Sequence, residues 1–335
     1  MKPFAYQRAA DARSAVAAVA ADPGAAFLAG GTNLVDHLKL GVATPSLLVD
    51  VSGLAADVVE ALPGGGLRIG AGTRNADLAA HPVVRAYYPL LSQALLSGAS
   101  GQLRNMATTG GNLLQRTRCD YFRDVTAPCN KRLPGSGCPA VAGNHRHHAI
   151  LGASRECVAT HPSDMAAALV ALDALVVVLG PEGERRVPVE QLYRLPGREP
   201  ERDTVLAHGE LVTAVELPPP FGGYARYRKV RDRASFAFAL VSVAAVVRAH
   251  DGVVDDLRVV FGGVAHRPWR ARAAEEVLRG SQPTEGAFRA AAEAELLDAH
   301  TLPGNAFKVP LVRATLVSVL RELAGRPAGQ PEEER

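Results

Sequence analysis

All four cysteines of this 335-residue chain, Cys119, Cys129, Cys138 and Cys157, fall in one stretch, spaced C-x9-C-x8-C-x18-C. Thiols gathered in one segment can serve as two disulfides, a zinc site, an iron–sulfur ligand set, or plain core residues. Zinc modules usually bring their ligands in knuckles of two to four intervening residues, and no pair here is that close. Disulfides need an oxidising compartment. The amino terminus MKPFAYQRAADARSAVAAVAADPG shows no apolar run behind a basic start, so no export signal is expected from it. Loop-borne thiolates at irregular spacing can surround an iron–sulfur cubane, and Asp120, Pro128, Asn130, Pro134, Gly135 and Gly137 make this a loop-rich segment. The spacing therefore favours iron–sulfur over zinc, with unliganded thiols still open. Arg116, Arg118, Arg123, Lys131 and Arg132 stand among the cysteines, where positive charge would offset a thiolate cluster or face an acidic partner. His145, His147 and His148 read as solvated loop residues rather than ligands, and His161 as packing for the turn before Pro162.

Two glycine turns flank this chemistry. AGGTNL at 29–34 follows a short apolar segment and precedes the amphipathic LVDHLKL, a strand, turn and helix in sequence. Consecutive backbone N–H groups with no side chain in the way can cradle a phosphate. The spacing matches neither G-x-G-x-x-G nor the G-x-x-x-x-G-K-[ST] loop, which argues against a nicotinamide site or a P-loop. TGGNLL at 109–114 echoes the first turn, and two such turns could grip the pyrophosphate of a dinucleotide such as a flavin dinucleotide.

The elements that must position these groups are legible at low resolution. Strands are expected at 25–29, 47–51 and 66–71, helices within 77–96, and a helix then a buried strand across 165–179. LPPPFGG at 217–223 cannot continue a strand or helix and marks a boundary. Beyond it, strands at 224–230, 237–248 and 253–261 and helices at 269–280, 284–299 and 308–325 predict a three-stranded sheet backed by helices. YRKVRDR at 227–233 reads either as a solvated strand edge or as a contact to a flavin or partner. The fold class is α+β. The expected domains are 1–219, with the cysteine insert at 116–158, and 220–325, followed by a disordered polar tail at 326–335. With 47% hydrophobic and 21% charged residues and a formal net charge of +3, the chain has neither a nucleic-acid footprint nor an apolar run long enough for a membrane span.

FLAGGTNL at 27–34, GASGQLRNMATTGGNLLQRTRCDYF at 98–122, PCNKRLPGSGC at 128–138, CVATHPSDM at 157–165 and YRKVRDRASFAFALVSVA at 227–244 together resemble the FAD-binding medium subunit of molybdenum hydroxylases, the xanthine dehydrogenase family. Within it the sequence is most similar to the FAD/[4Fe–4S] subunit of periplasmic-type aldehyde oxidoreductases. The resemblance implies a two-part FAD-binding domain of the vanillyl-alcohol-oxidase/PCMH type, followed by a smaller domain of the CO dehydrogenase flavoprotein type. It implies a first FAD loop at Ala26, Phe27, Leu28, Ala29, Gly30, Gly31, Thr32, Asn33 and Leu34, with the Thr32 and Asn33 side chains on the pyrophosphate. A second loop would follow at Thr108, Thr109, Gly110, Gly111 and Asn112, with both threonine hydroxyls on the same phosphates. Asp164 matches an acidic residue on the cofactor's polyol region and Lys229 a lysine near the flavin ring. Cys119, Cys129, Cys138 and Cys157 match the four ligands of a [4Fe–4S] cluster.

The implied role is electron transfer, with no catalytic residue in this chain. A large molybdopterin-binding subunit would hydroxylate the substrate and a small subunit with two [2Fe–2S] clusters would pass electrons to this flavin, which returns them to an external acceptor. The three chains would form a heterotrimer. The location expected from this sequence is cytoplasmic, with periplasmic export carried by a partner as the alternative. A zinc-stapled binding module and a stand-alone flavin oxidase are the competing readings of the same residues.

Overall fold

The computed structural model describes residues 1–54 and 57–324, so the expected tail at 326–335 lies outside the described residues. Three sheets organise the chain. The first strands, β1 (Ala5–Arg8), β2 (Ala25–Leu28) and β3 (Leu47–Asp50), form a parallel sheet in the order β1-β3-β2. The helix Ala12–Ala21 crosses over between β1 and β2. Its start is fixed by a capping box in which Asp11 accepts from Ser14 N and the Ser14 hydroxyl answers the Asp11 backbone.

The second sheet is antiparallel throughout. Strands β4 (Val59–Ala61), β5 (Leu67–Gly70), β6 (Leu175–Gly180), β7 (Gly183–Pro188) and β8 (Leu211–Leu217) pair in the order β4-β5-β8-β6-β7. The apolar run expected at 165–179 resolves into a wholly buried helix, Asp164–Ala171, and β6. The segment from 75 to 97 breaks into three helices because Pro82 and Pro89 each sit at a helix N-terminus, where a missing N–H costs nothing.

Pro218 to Gly223 connect β8 to the third sheet, which holds β9 (Tyr224–Val230), β10 (Val241–His250), β11 (Val253–Gly262) and the two-residue β12 (Trp269–Arg270) in the order β12-β11-β10-β9. The three long strands are the expected ones, and β12 is a short addition that sequence periodicity cannot reveal. Helices Arg272–Leu278, Glu285–Leu296 and Lys308–Ala324 cover one face. Seven successive residues of β10 are buried, and the strand's alternation sends them to two cores. Val241, Val243, Ala245 and Val247 join the C-terminal helices, while Ala244 and Val246 join the core of helices Pro89–Ser97 and Asp164–Ala171. The boundary loop thus separates strands in sequence but not hydrophobic cores in space. Among the described residues no helix is long and apolar enough to cross a membrane.

One buried ion pair pins the C-terminal core. Glu275 accepts from Arg270 Nε and from Val259 N at 2.8 Å, and both side chains are almost fully buried. Glu275→Ala leaves the Arg270 guanidinium without its closest partner in low dielectric, which costs about 3–5 kcal/mol. Chemical denaturation of the two proteins side by side checks this: a midpoint shift worth under ~1 kcal/mol would show that Arg270 relaxes onto Asp173, its other partner at 2.9 Å.

Candidate functional site

A cleft of about 770 Å3 runs between the first loop, the helix Asp164–Ala171 and the third sheet. Among its walls are Thr32, Asn33, Gly111, Asn112, Ser163 and Asp164. Two loops close one end. Gly30 packs so near the Met106 carbonyl that a Cβ there would lie 2.0 Å from the oxygen, so only glycine lets the loops meet. Gly31 adopts φ +72°, the left-handed region that glycine enters without strain.

The two glycine turns differ in what they leave free. Among the described residues, none of the backbone N–H groups of Gly30, Gly31, Thr32 and Asn33 donates to a protein acceptor. These are unspent donors beside the cleft. In the second turn they are all committed. Thr109 N bonds Thr73 O at 2.9 Å, Gly110 N bonds Ala71 O at 2.9 Å, Gly111 N bonds Thr108 Oγ1 at 3.2 Å and Asn112 N bonds Thr108 O at 2.8 Å. Thr108 is the N-cap of the short helix Thr109–Leu113, and Thr109 Oγ1 donates to Thr73 O at 3.0 Å. Thr109 thus spends its hydroxyl proton within the turn, while Thr108 Oγ1 is engaged there only as an acceptor. Asn33 is similarly engaged: its Oδ1 accepts from Arg116 N at 2.9 Å and its Nδ2 lies 3.3 Å from His37 Nε2. Ala26, Phe27, Leu28 and Ala29 lead into the first turn, the first three as part of β2, and Leu34 opens the next helix.

At the cleft floor Asp164 is buried and doubly bonded. Oδ2 receives Lys229 Nζ at 2.7 Å and Oδ1 receives the Tyr227 hydroxyl. Tyr227 and Lys229 are two residues apart on β9, so both point to the same face. The opposite face carries Arg226 and Arg228, which pair with Glu322 of the last helix at 3.2 and 2.6 Å. Neither reading of the basic stretch 227–233 covers both faces: Tyr227 and Lys229 point to the cleft floor, Arg228 to a covering helix, and Asp232 and Arg233 line the cleft. Burial and the Asp164 charge hold the Tyr227 hydroxyl protonated, well above its ordinary pKa. Ser163 caps the helix through Ala166 N at 2.9 Å and donates to Asn112 Oδ1 at 2.6 Å, joining helix to second turn. Tyr227 and Ser163 were not expected from sequence, although the two-residue spacing to Lys229 and the S-x-x pattern ahead of an apolar helix were both readable.

The four cysteines line one small cavity with His148, Lys131 and Phe122, and all four are free thiols. Cys157 is hydrogen-bonded to Cys138, which lowers the Cys138 pKa to about 6 and raises that of Cys157. Burial pushes the Cys119 thiol up to about 11. Among the described residues no three His, Cys, Asp or Glu gather in the arrangement that would hold a single metal ion. Polar staples fix the insert around the cavity. Arg132 donates to the carbonyls of Tyr121 (2.6 Å), Phe122 (2.7 Å) and Ala127, and Asn130 bridges Gly137 N and Glu156. Lys131 reaches Pro200 O at 2.6 Å and Asp203 at 2.5 Å. Arg116 also pairs with Asp203, and Arg118 and Arg123 with Asp36.

The histidine expectation is corrected for two of three residues. His147 is exposed, but His145 and His148 are buried. His145 bridges Ala140 O (3.1 Å) and Gly304 N (2.8 Å), and His148 Nε2 lies 3.1 Å from Cys119 Sγ. They tie the insert to the C-terminal region, a long-range contact that a local reading of HRHH could not anticipate.

A family model described as the FAD binding domain in molybdopterin dehydrogenase matches residues 2–220, and one described as the CO dehydrogenase flavoprotein C-terminal domain matches residues 197–323. The chain is 54% identical over 323 residues to the aldehyde oxidoreductase FAD-binding subunit PaoB of Escherichia coli K12, covering 96% of this chain and 98% of that one. It is 27% identical over 279 residues to the glyceraldehyde dehydrogenase medium chain of Sulfolobus acidocaldarius, covering 83% and 82%. Among solved structures, carbon monoxide dehydrogenase from Hydrogenophaga pseudoflava aligns with a TM-score of 0.75 at 27% identity, over 96% of this chain and 98% of that one.

Tyr227→Phe removes one of the two donors to a buried carboxylate. The expected cost is about 1–3 kcal/mol in unfolding free energy, read by denaturant titration. An unchanged midpoint would mean that another donor, such as the nearby Ser242 hydroxyl, takes its place.

Proposed function

This chain belongs to the FAD-binding medium subunits of the molybdenum hydroxylases, and on that footing we propose that it is the electron-transfer subunit of an aldehyde oxidoreductase-type complex, holding FAD in the cleft and a [4Fe–4S] cluster on its four cysteines. The observation that carries the cofactor placement is the run of unspent N–H donors at Gly30 to Asn33 beside a cleft of sufficient size. A pyrophosphate offers acceptors to uncharged donors of this kind. FAD, when bound, supplies two-electron redox chemistry that can be loaded one electron at a time.

The chain's residues have distinct tasks in this reading. Ala26 to Leu34 form the first loop, with the Gly30 to Asn33 amides on the pyrophosphate and Thr32 beside them. Thr108 to Asn112 shape the second wall, where Gly111 and Asn112 face the cleft and Thr108 and Thr109 keep the turn rigid. Asp164 presents its carboxylate toward the cofactor's polyol, oriented by Tyr227. Lys229 neutralises the Asp164 charge at the floor, on the side where the flavin ring would lie. No group in the cleft is assigned to bond breaking in a substrate.

Cys119, Cys129, Cys138 and Cys157 line one small cavity, and that gathering of four thiols is what supports a shared occupant held by all of them. Residues 1–219, with the insert at 116–158, then serve as the FAD-binding domain and the segment from 220 as the C-terminal domain. By analogy with the multi-subunit relatives, a large molybdopterin subunit and a small subunit with two [2Fe–2S] clusters complete a heterotrimer, with an external acceptor taking the electrons.

An absorption spectrum and metal analysis of anaerobically purified protein, co-expressed with its genomic neighbours, test the assignment. Flavin bands, an iron–sulfur shoulder and about four irons per chain are expected, and a colourless zinc protein would overturn it. Aldehyde turnover by this chain alone would instead establish a stand-alone flavin oxidase. Cys129→Ser should lose the iron and make residues 119–157 more open to proteolysis while FAD stays bound; iron retained at full content would remove Cys129 from the ligand set.

A further inference from the structure

Beside the cofactor cleft lies a second cavity of about 20 Å3, lined among others by Leu113, Lys131, His161, Tyr193, Asp203 and His266. His266 is 8% exposed, yet neither ring nitrogen has a hydrogen-bond partner. His161 lines both the cleft and this cavity, and its Nε2 is also unpartnered. Its Nδ1 accepts a long bond, 3.4 Å, from Ser163 N on the cleft side, and its ring lies against Tyr193 at 4.3 Å between centroids. Two further groups of the wall are already committed. Asp203 holds Lys131 and Arg116, and the Tyr193 hydroxyl donates to Leu113 O at 3.0 Å.

Burial lowers both imidazoles, His161 to about 4 and His266 to about 3, so each is neutral near pH 7. A neutral imidazole carries one donor and one acceptor. His266 therefore buries one of each, which native proteins almost never leave unpaired. The cavity has room for roughly one water, and a water can both donate and accept. Asp203 and Arg116 in the cavity wall are each about a third exposed.

We propose that this cavity holds an ordered water bonded to His266 and His161, and that His161 relays protons between that water and the FAD cleft. The relay rests on the FAD reading above, whereas the water site does not. The proton balance closes over a redox cycle. When the cofactor is oxidised by an external acceptor, a proton released in the cleft goes to Nδ1 of His161 as the Nε2 proton passes to the water. When the cofactor next accepts electrons and takes up a proton, Nδ1 supplies it and Nε2 recovers one from the water. The water exchanges the protons it gains and gives with bulk solvent past Asp203, which lines the cavity and is about a third exposed, so the ring is neutral at each end and only its tautomer alternates.

Nitrogen-15 spectra of histidine-labelled chain, with and without FAD, read the tautomers, and a high-resolution crystal structure reads the water. An ordered water on the His266 ring and a His161 tautomer that differs between oxidised and reduced cofactor are expected. In a second measurement, FAD-loaded protein is reduced anaerobically, mixed with ferricyanide, and proton release is followed with a pH indicator. His161→Phe should slow release on the order of a hundredfold at equal FAD content, with added imidazole restoring part of the rate. His161→Gln, which keeps a polar side chain but cannot switch tautomer, guards against a folding defect and should be equally slow. A dry cavity overturns the water site; release at the parental rate in both variants overturns the relay. Failure to bind FAD would count against the cofactor reading and leave the water site to be judged from the FAD-free spectra.

Discussion

The contact on which the site depends is the one between Asp164 and the pair Tyr227 and Lys229. A carboxylate at the floor of a cleft, 8% exposed, is tolerable only if its charge is paired and both oxygens are bonded. Both partners come from β9, more than sixty positions away. The helix Asp164–Ala171 and the third sheet must therefore keep a fixed separation for the carboxylate to stay paired and aimed. The same register sets Ser242 opposite Lys229 and Ala244 opposite Tyr227 on β10, so alternate positions of two strands furnish the cleft while the intervening ones face the C-terminal helices.

That separation is held by the way β10 is buried. A strand with one wet face could shift against its neighbours at modest cost, but one whose two faces enter two different cores cannot slip without exposing both. The C-terminal helices thus act on the cleft although none of them lines it. Arg228 reinforces this from the far side through Glu322 and Ser318, each at 2.6 Å. A sheet gripped on both faces is a rigid platform, and rigid platforms are what cofactor sites require.

Much of this was legible in the sequence because the strands of the third sheet are Val- and Ala-rich segments bounded by glycine, and because Pro82 and Pro89 mark helix starts. The turn at Gly30 and Gly31 was legible for the same reason, since few residues besides glycine accept its geometry. What stayed hidden was long-range. Thr108 and Thr109 sit in a glycine-rich turn, and only the proximity of Ala71 and Thr73 shows that the turn's N–H donors and the Thr109 hydroxyl are spent at home. His145 and His148 look solvated until residues 304–308 fold over them. Lys308, fully buried, donates to His148 O at 2.9 Å and Gly263 O at 2.7 Å, a placement that no local pattern predicts.

The cysteine insert joins these themes. Among the described residues, the insert has turns and short helices but no strand, and side chains complete the bonding of its carbonyls. Arg132 answers three of them, Lys131 reaches out to residues 200 and 203, and His145 and Lys308 anchor the other end. These staples fix the path of the loop around the cavity that the four sulfurs line.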